Sequence, residues 1–470
     1  MDVRVLIVVE SEGVRRQLQS ATGFPVFATH GHLFRQAQSG EAPAFLASGN
    51  LIARYPIEER AGILAHLAAT LERGQWEGIL IGTDPDDEGD VIAADVAALA
   101  AEKAPAAALF RVTWQTLDPA AINRSLNTAQ PMEARKNWGA AGLARATIDS
   151  MFSGLPGVGR VMTPLLAALS RGGDLDSIRL DFHRPWTLRD VLVMDRGPDV
   201  EGLYRRAEAL YLGGKLSYPR TGATAFWPET CRTIAQVAPG RRIPAAPHQS
   251  LVLPLSAPHE ALHAAEVAEW TFMALADHDD SQPIERLSTN DAILVSAQAA
   301  ALVSLGAAAP GQIIEPPVPA HHPGAWIVDW QFREGLGRPS TWARRAARVV
   351  QSGWLVPDRL ALTVDGRRAL VRAPDFLRDP ALSRQIENHI AIEAARGLSA
   401  EEIVDSLRER LGRDILPEVP QGLRGGDALR PASLPSGRVI EAPGYSTEGT
   451  AAGPKDDQTG VPVTRHEIVL

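Results

Sequence analysis

The chain has a single cysteine, Cys231, in 470 residues. That excludes a disulfide within the chain, and it excludes zinc modules built on several cysteines. Lysine is nearly as scarce: Lys103, Lys136, Lys215 and Lys455 are the only four among 47 basic residues. The other cations are arginines, whose planar guanidinium makes paired contacts with phosphate and carboxylate. Acids outnumber bases, with a formal net charge of −9 and a pI near 5.8. Any contact with nucleic acid must therefore come from a local arginine groove and not from the overall field. No apolar run is long enough to span a bilayer, so no membrane partner is expected. The opening MDVRVLIVVES has no signal-peptide pattern, and a cytoplasmic location is expected.

What the chain does have is an acidic turn at the end of an apolar strand. Ile79–Gly82 reads as a buried strand, followed by Thr83-Asp84-Pro85-Asp86-Asp87-Glu88-Gly89-Asp90 and then an alanine-rich helix. Five acids in seven positions repel one another unless a cation intervenes. Asp84, Asp86 and Glu88 alternate and offer oxygen ligands of the kind Mg²⁺ takes. An acidic first turn favoured by the helix dipole explains the same residues without a metal. A second apolar strand ending in acid, Val3–Val9 followed by Glu10-Ser11-Glu12-Gly13, favours the metal reading. Parallel strands in a small α/β domain bring such termini to one sheet edge.

Glu10 together with Asp84, Asp86 and Glu88 resembles the Toprim domain of type IA DNA topoisomerases. The segments ATHGHL (Ala28–Leu33), which contains His32, and RVTWQTLDPAAI (Arg111–Ile122) stand where that family has similar ones. Primases and some nucleases share Toprim, so the rest of the chain decides. Pro56–Arg73 reads as a helix, Arg111–Trp114 as a strand, and Asp118-Pro119 as the start of another helix. Met132–Gly154 reads as helical. With Arg135, Trp138 and Arg145, followed by GVGRVMTP around Arg160, it is similar to the topoisomerase III branch. There the arginine matching Arg160 lies near the DNA backbone.

The segment Leu203–Ala225 carries a helix, Tyr204–Leu212, stopped by Gly213-Gly214. A short strand is expected to deliver Ser217-Tyr218-Pro219-Arg220-Thr221-Gly222. A tyrosine hydroxyl with its usual pKa near 10 is a weak nucleophile and needs a cation or a proton acceptor beside it. Arg220, two residues on, projects to the same side of an extended segment. Tyr-Pro-Arg-Thr after such a helix resembles the family's nucleophile motif. Further on, His259-Glu260-Ala261-Leu262-His263 matches the HExxH pattern of zinc peptidases, with Glu266 or Glu269 as a third ligand. A histidine-glutamate-alanine triplet at this point also resembles the topoisomerases, in which the histidine matching His259 approaches the scissile phosphate. The peptidase reading explains five residues, whereas the topoisomerase resemblance explains these and four other segments in order.

Glu334–Trp342, EGLGRPSTW, resembles the family's EGIGRPST motif and opens a helix through Val350, with Ser340 or Thr341 as its N-cap. Ser399 and Glu402 read as the capping box of a helix over 400–411.

The fold class expected is α/β plus α: a Toprim domain with a parallel sheet, then mostly helical subdomains forming a ring or clamp with a reduced arch. Expected boundaries are 1–125 for Toprim, 126–200 for a helical DNA-binding subdomain and 201–270 for the tyrosine subdomain. The reduced arch takes 271–330, a winged-helix-like single-strand-binding subdomain 331–415, and a disordered tail 416–470. The short interval from Arg160 to Tyr218 is the reason to expect a reduced arch.

The resemblance implies ATP-independent cleavage and rejoining of single-stranded or negatively supercoiled DNA, in the bacterial nucleoid, with a helicase or single-strand-binding protein as a further partner. It implies Tyr218 as nucleophile, with Arg220, Glu10 and His259 assisting. It implies Glu10, Asp84, Asp86 and Glu88 as Mg²⁺ ligands, and His32, Arg145, Arg160, Arg338, Ser340 and Thr341 at the DNA. The chain also departs from the family. Asp87 stands where an arginine is usual, Asp90 replaces a glutamate, and Val14 replaces a lysine of the topoisomerase I kind. A catalytically weakened DNA-binding relative and a Toprim nuclease therefore remain open readings.

Overall fold

The computed structural model describes residues 4–36, 45–46, 53–135, 137–153, 155–180, 187–195, 197, 200–214, 216–222, 319–412 and 414–416. The expectations for His259, for most of the arch and for the tail lie outside these residues.

Two apolar runs at the expected places form the centre of a five-stranded sheet. Strand β1 is Val5–Val9, β2 is Val26–Ala28, β6 is Gly78–Ile81, β7 is Ala108–Arg111 and β8 is Gln130–Pro131. Their order is β2-β1-β6-β7-β8, parallel except for the antiparallel edge pair β7–β8. Ile7 pairs with Leu80 and Ile79 with Leu109, so the two acid-tipped strands lie side by side in the middle of the sheet. Both are buried along their whole length, as a sheet covered on both faces requires. Strands β3 (Phe34–Gln36), β4 (Phe45–Leu46) and β5 (Ala53–Pro56) form a second, antiparallel sheet.

Helix α1 (Glu12–Thr22) starts on Ser11, whose hydroxyl accepts from the Val14 amide, and stops at Gly23 with φ 69°. Helix α2 is Ala61–Arg73. The expected Pro56–Arg73 helix is thus shortened: Pro56 ends β5, and Glu58–Arg60 make a single 3-10 turn before α2 begins. Helix α3 (Asp87–Lys103) is buried on nearly every side, and its alanines let it lie close to its neighbours. Helix α4 is Pro119–Asn127, capped by Asp118 as expected. The Arg111–Trp114 strand is displaced: β7 ends at Arg111, where the tryptophan loop begins. The expected Met132–Gly154 helix divides into a 3-10 turn, Met132–Ala134, and α5, Ala140–Ser153. Gly139 between them has φ 76°, and a Cβ there would press on the backbone of Val91 in α3.

Helices α6 (Met162–Ser170), α7 (Leu188–Leu192) and α8 (Gly202–Leu212) follow, then α9 (Pro323–Arg333), α10 (Pro339–Gln351), α11 (Val364–Val371), α12 (Pro380–Ala395) and α13 (Ala400–Leu411). Two expected boundaries fall inside helices: residue 125 lies in α4 and residue 330 in α9. Helices α6, α7, α9 and α10 share one apolar core with Trp326, Trp330 and Trp342, while α5, α12 and α13 share another. The capping box of α13 is present, with the Ser399 hydroxyl accepting from the Glu402 amide. Among the described residues no helix is long and apolar enough to cross a membrane.

Candidate active site

The loop leaving β6 is fixed before any acid on it can act. Arg111, buried at the end of β7, donates to the carbonyls of Thr83 (2.9 Å) and Asp84 (2.8 Å) and to Oδ1 of Asp90 (3.0 Å). Gly89 allows the first turn of α3 to pass so close that a Cβ would collide with the Asp84 carbonyl. Asp86 caps α3, its Oδ1 accepting from the Gly89 amide at 2.9 Å. Its second oxygen, Oδ2, is left to face outward.

The tyrosine segment is strapped to the next loop of the same sheet. Helix α8 ends at Gly213-Gly214, with Gly214 at φ 70°. The Tyr218 amide then donates to the Gln115 carbonyl at 2.8 Å, and the Tyr211 hydroxyl donates to the Trp114 carbonyl at 3.0 Å. The rings of Tyr211 and Tyr218 meet edge to face at 5.5 Å. Residues 216–222 form no strand, because these contacts to the loop replace a ladder. The hydroxyl of Tyr218 arrives between two carboxylates, donating within 2.9 Å of Oδ2 of Asp84 and of Oδ2 of Asp86. Arg220 reaches the same Asp84 oxygen at 3.3 Å. Its other nitrogens donate to the Tyr204 hydroxyl (2.6 Å) and to Glu208 (3.2 Å). Sequence reasoning missed Tyr204 and Glu208, although their spacing of four on α8 marks them as one helix face.

Negative charge dominates here. Burial, then Asp84 and Asp86, push the Glu10 carboxyl up to about 8, so it is largely protonated at neutral pH. Burial and Asp86 push Asp84 up to about 6, against the pull of Arg220. Burial and the two aspartates also push Tyr218 well above the ordinary phenol value. Burial works against the charge on Arg220, yet Tyr218, Tyr204 and Asp84 hold its pKa above the usual arginine value. Glu88 points elsewhere: its Oε2 lies 2.9 Å from Nε2 of His32, and that hydrogen bond lowers its pKa. Among the described residues no three acid or histidine side chains form a ready-made metal group. The donor set itself suits a hard divalent cation: it is all oxygen, and Asp84 and Asp86 converge on one atom.

The arginines expected at DNA are paired with acids of the fold. Arg160 is 3% exposed, donating to Asp149 at 2.5 Å and Glu387 at 2.7 Å. Arg145 is also buried, donating to Glu387 at 2.9 Å and pairing with Asp87 at 3.1 Å. Glu387, on α12 and 227 positions from Arg160, gave no signal in the sequence. Arg338 pairs with Asp87 as well. The N-cap of α10 is Arg338 and neither Ser340 nor Thr341. Pro339 occupies the first turn, so those two residues fall inside the helix. Thr341 Oγ1 accepts from the Arg338 amide at 3.2 Å and from Arg345 at 2.6 Å, while Ser340 is exposed.

Residues 5–113 match the Toprim domain family. Full-length topoisomerase I from Thermotoga maritima superposes on the chain with a TM-score of 0.59 and 13% identity, covering 87% of this chain and 90% of that one. The chain has a type IA topoisomerase-like fold. No match was found among curated proteins. The topoisomerase-like fold places the Toprim sheet and the tyrosine segment together. The acids of β1 and β6 and the hydroxyl of Tyr218 meet at that junction.

Proposed function

We propose that the protein cleaves and rejoins single-stranded DNA through a covalent link to Tyr218. One observation carries this reading: the Tyr218 hydroxyl donates to Asp84 and Asp86 while Arg220 stands on the same Asp84 oxygen. Two proton acceptors and one phosphate-binding cation at a tyrosine are what a phosphoryl transfer to phenol needs.

In the forward step the Tyr218 oxygen attacks phosphorus, and its proton passes to the facing carboxylate. The phosphorus–oxygen bond to the 3′ side breaks, leaving a 5′-phosphotyrosyl link. Glu10, held protonated, gives its proton to the departing 3′ oxygen and takes it back on rejoining. Arg220 neutralises the charge spread over the phosphate oxygens. A Mg²⁺-like cation held by Asp84 and Asp86, with Glu88 nearby and Glu10 joining once it has given up its proton, would offset the crowded negative charge and align the 3′ end. Negatively supercoiled DNA is the natural physiological substrate on this reading, and His259 is a further candidate at the phosphate.

The test is a denaturing gel of the protein with end-labelled single-stranded DNA. The wild type is expected to give a covalent adduct and Tyr218→Phe none, since that change removes the nucleophile and almost no packing. Cutting without an adduct would instead point to a Toprim nuclease.

A further inference from the structure

Asp87 is the next residue after Asp86, yet it faces away from the tyrosine into a cluster of arginines. Its Oδ2 is held by Nη2 of Arg145 at 3.1 Å and by Nη2 of Arg338. These come from α5 and α10, so the two guanidiniums converge on one oxygen from separate elements. Arg145 forms a buried floor, its side chain 9% exposed, while Arg338 at 35% and Asp87 at 28% are open to solvent. Nη1 of Arg145 is buried and without a hydrogen-bond partner among the described residues. Charge is unequal around it. Arg145, Arg160, Arg338 and Arg345 face Asp87, Asp149 and Glu387, an excess of one positive charge. Without Asp87 the excess would be two.

We propose that Asp87 acts as an internal stand-in for a backbone phosphate of single-stranded DNA, filling in the free protein the seat between Arg145 and Arg338, two arginines that the family resemblance puts at the DNA. Two guanidiniums converging on one anionic oxygen, with a spare buried N–H, fit a tetrahedral phosphate better than a carboxylate, which has only two oxygens to offer. Asp87 and Arg338 are both partly exposed, so a phosphate can reach the pair and displace the carboxylate. Asp87 then lowers affinity until DNA displaces it. The proposal rests on the single-strand cleavage reading, because Asp86, one residue away, touches the Tyr218 hydroxyl.

The experiment measures binding of a fluorescent oligothymidylate by the full chain in EDTA, as a function of salt. Asp87→Asn is expected to tighten binding by about five-fold and to steepen the salt slope by about 0.7, the signature of one added phosphate contact on a single strand. In an Arg338→Gln background the same change is expected to gain less than about two-fold. An equal gain in both backgrounds would mean that Asp87 merely repels DNA at a distance, and no gain in either would mean that it competes for nothing; each overturns the seat. Thermal melting checks that the variants fold, and Asp87→Ser repeats the comparison if Asp87→Asn does not. Absence of oligonucleotide binding in every variant also refutes the seat. Binding with the expected non-additivity but no Tyr218 adduct would uphold the seat and reject the cleavage reading.

Discussion

The two sides of the first turn of α3 hold charge in opposite ways. On one side Glu10, Asp84 and Asp86 crowd together with Arg220 as the near cation, and two of these carboxyls are pushed up, Glu10 to about 8 and Asp84 to about 6. On the other side Glu387 lies between Arg145 and Arg160. Burial alone would raise its pKa, but the two guanidiniums bring it down to about 2. Glu10 and Glu387 are the same residue type and both are largely buried, so their charged neighbours, acids around one and guanidiniums around the other, decide the outcome. A group left short of counter-charge stores unfavourable energy that a ligand can relieve, whereas a satisfied one contributes to the fold. The first cluster therefore reads as a working site and the second as a joint between α5, the loop before α6, and α12.

Breaking the satisfied side should produce the largest effect. Glu387→Gln removes the negative charge that two buried guanidiniums share, and the expected loss is about 3–5 kcal/mol in chemical denaturation. The pH dependence has a definite sign. The folded value near 2 lies below the ordinary 4.5, so the stabilisation is present above about 4.5 and is lost as pH falls toward 2. Acid titration of the wild type should show this loss and the variant should not. A variant as stable as the wild type would mean that the pairs are dispensable and the contrast false.

Relieving the frustrated side should have the opposite effect. The Glu10 carboxyl is raised above its ordinary 4.5, so its contribution is fully present below about 4.5 and is lost as pH rises through about 8. In EDTA, Glu10→Gln should therefore melt higher than the wild type at alkaline pH and lose that advantage as pH falls to about 4.5. The same variant should form the Tyr218 adduct slowly, since the proton donor for the 3′ oxygen is gone. A wild type whose stability is flat from pH 5 to 9 would remove the argument for frustration.

How much of this was legible depends on sequence distance. The acid-tipped strands and the starts of α3 and α4 follow from local pattern, because apolar runs, caps and a glycine stop act over a few residues, whereas Tyr218 and Arg220 meet at Asp84 without the strand expected to align them. The acid partners of the arginines were not legible in the sequence. Arg145, Arg160 and Arg338 look alike in the sequence, and only the packing of α5 against α12 shows that the first two are buried on Glu387. The Pro56 error has a similar cause: an apolar pattern gave no sign that β5 pairs with β3 through Phe34 and Pro56. Asp87 stands out in the acidic turn, but its two arginine partners lie 58 and 251 positions further along the chain, beyond any local signal.

The smallest expected effect separates pairing from burial inside the satisfied cluster. Arg160 makes two ion pairs, and they are unequal: Glu387 is 11% exposed, whereas Asp149 is 49% exposed. Water and salt screen the outer pair, so its short 2.5 Å contact with Arg160 says little about its energy. Asp149→Asn keeps the size of the side chain and leaves Arg160 bound to Glu387. The expected cost is below about 1 kcal/mol, falling further as salt is added. Urea denaturation of Asp149→Asn and Glu387→Gln under the same conditions provides the comparison. If both cost the same, the number of partners, and not their depth, would set the strength of the joint.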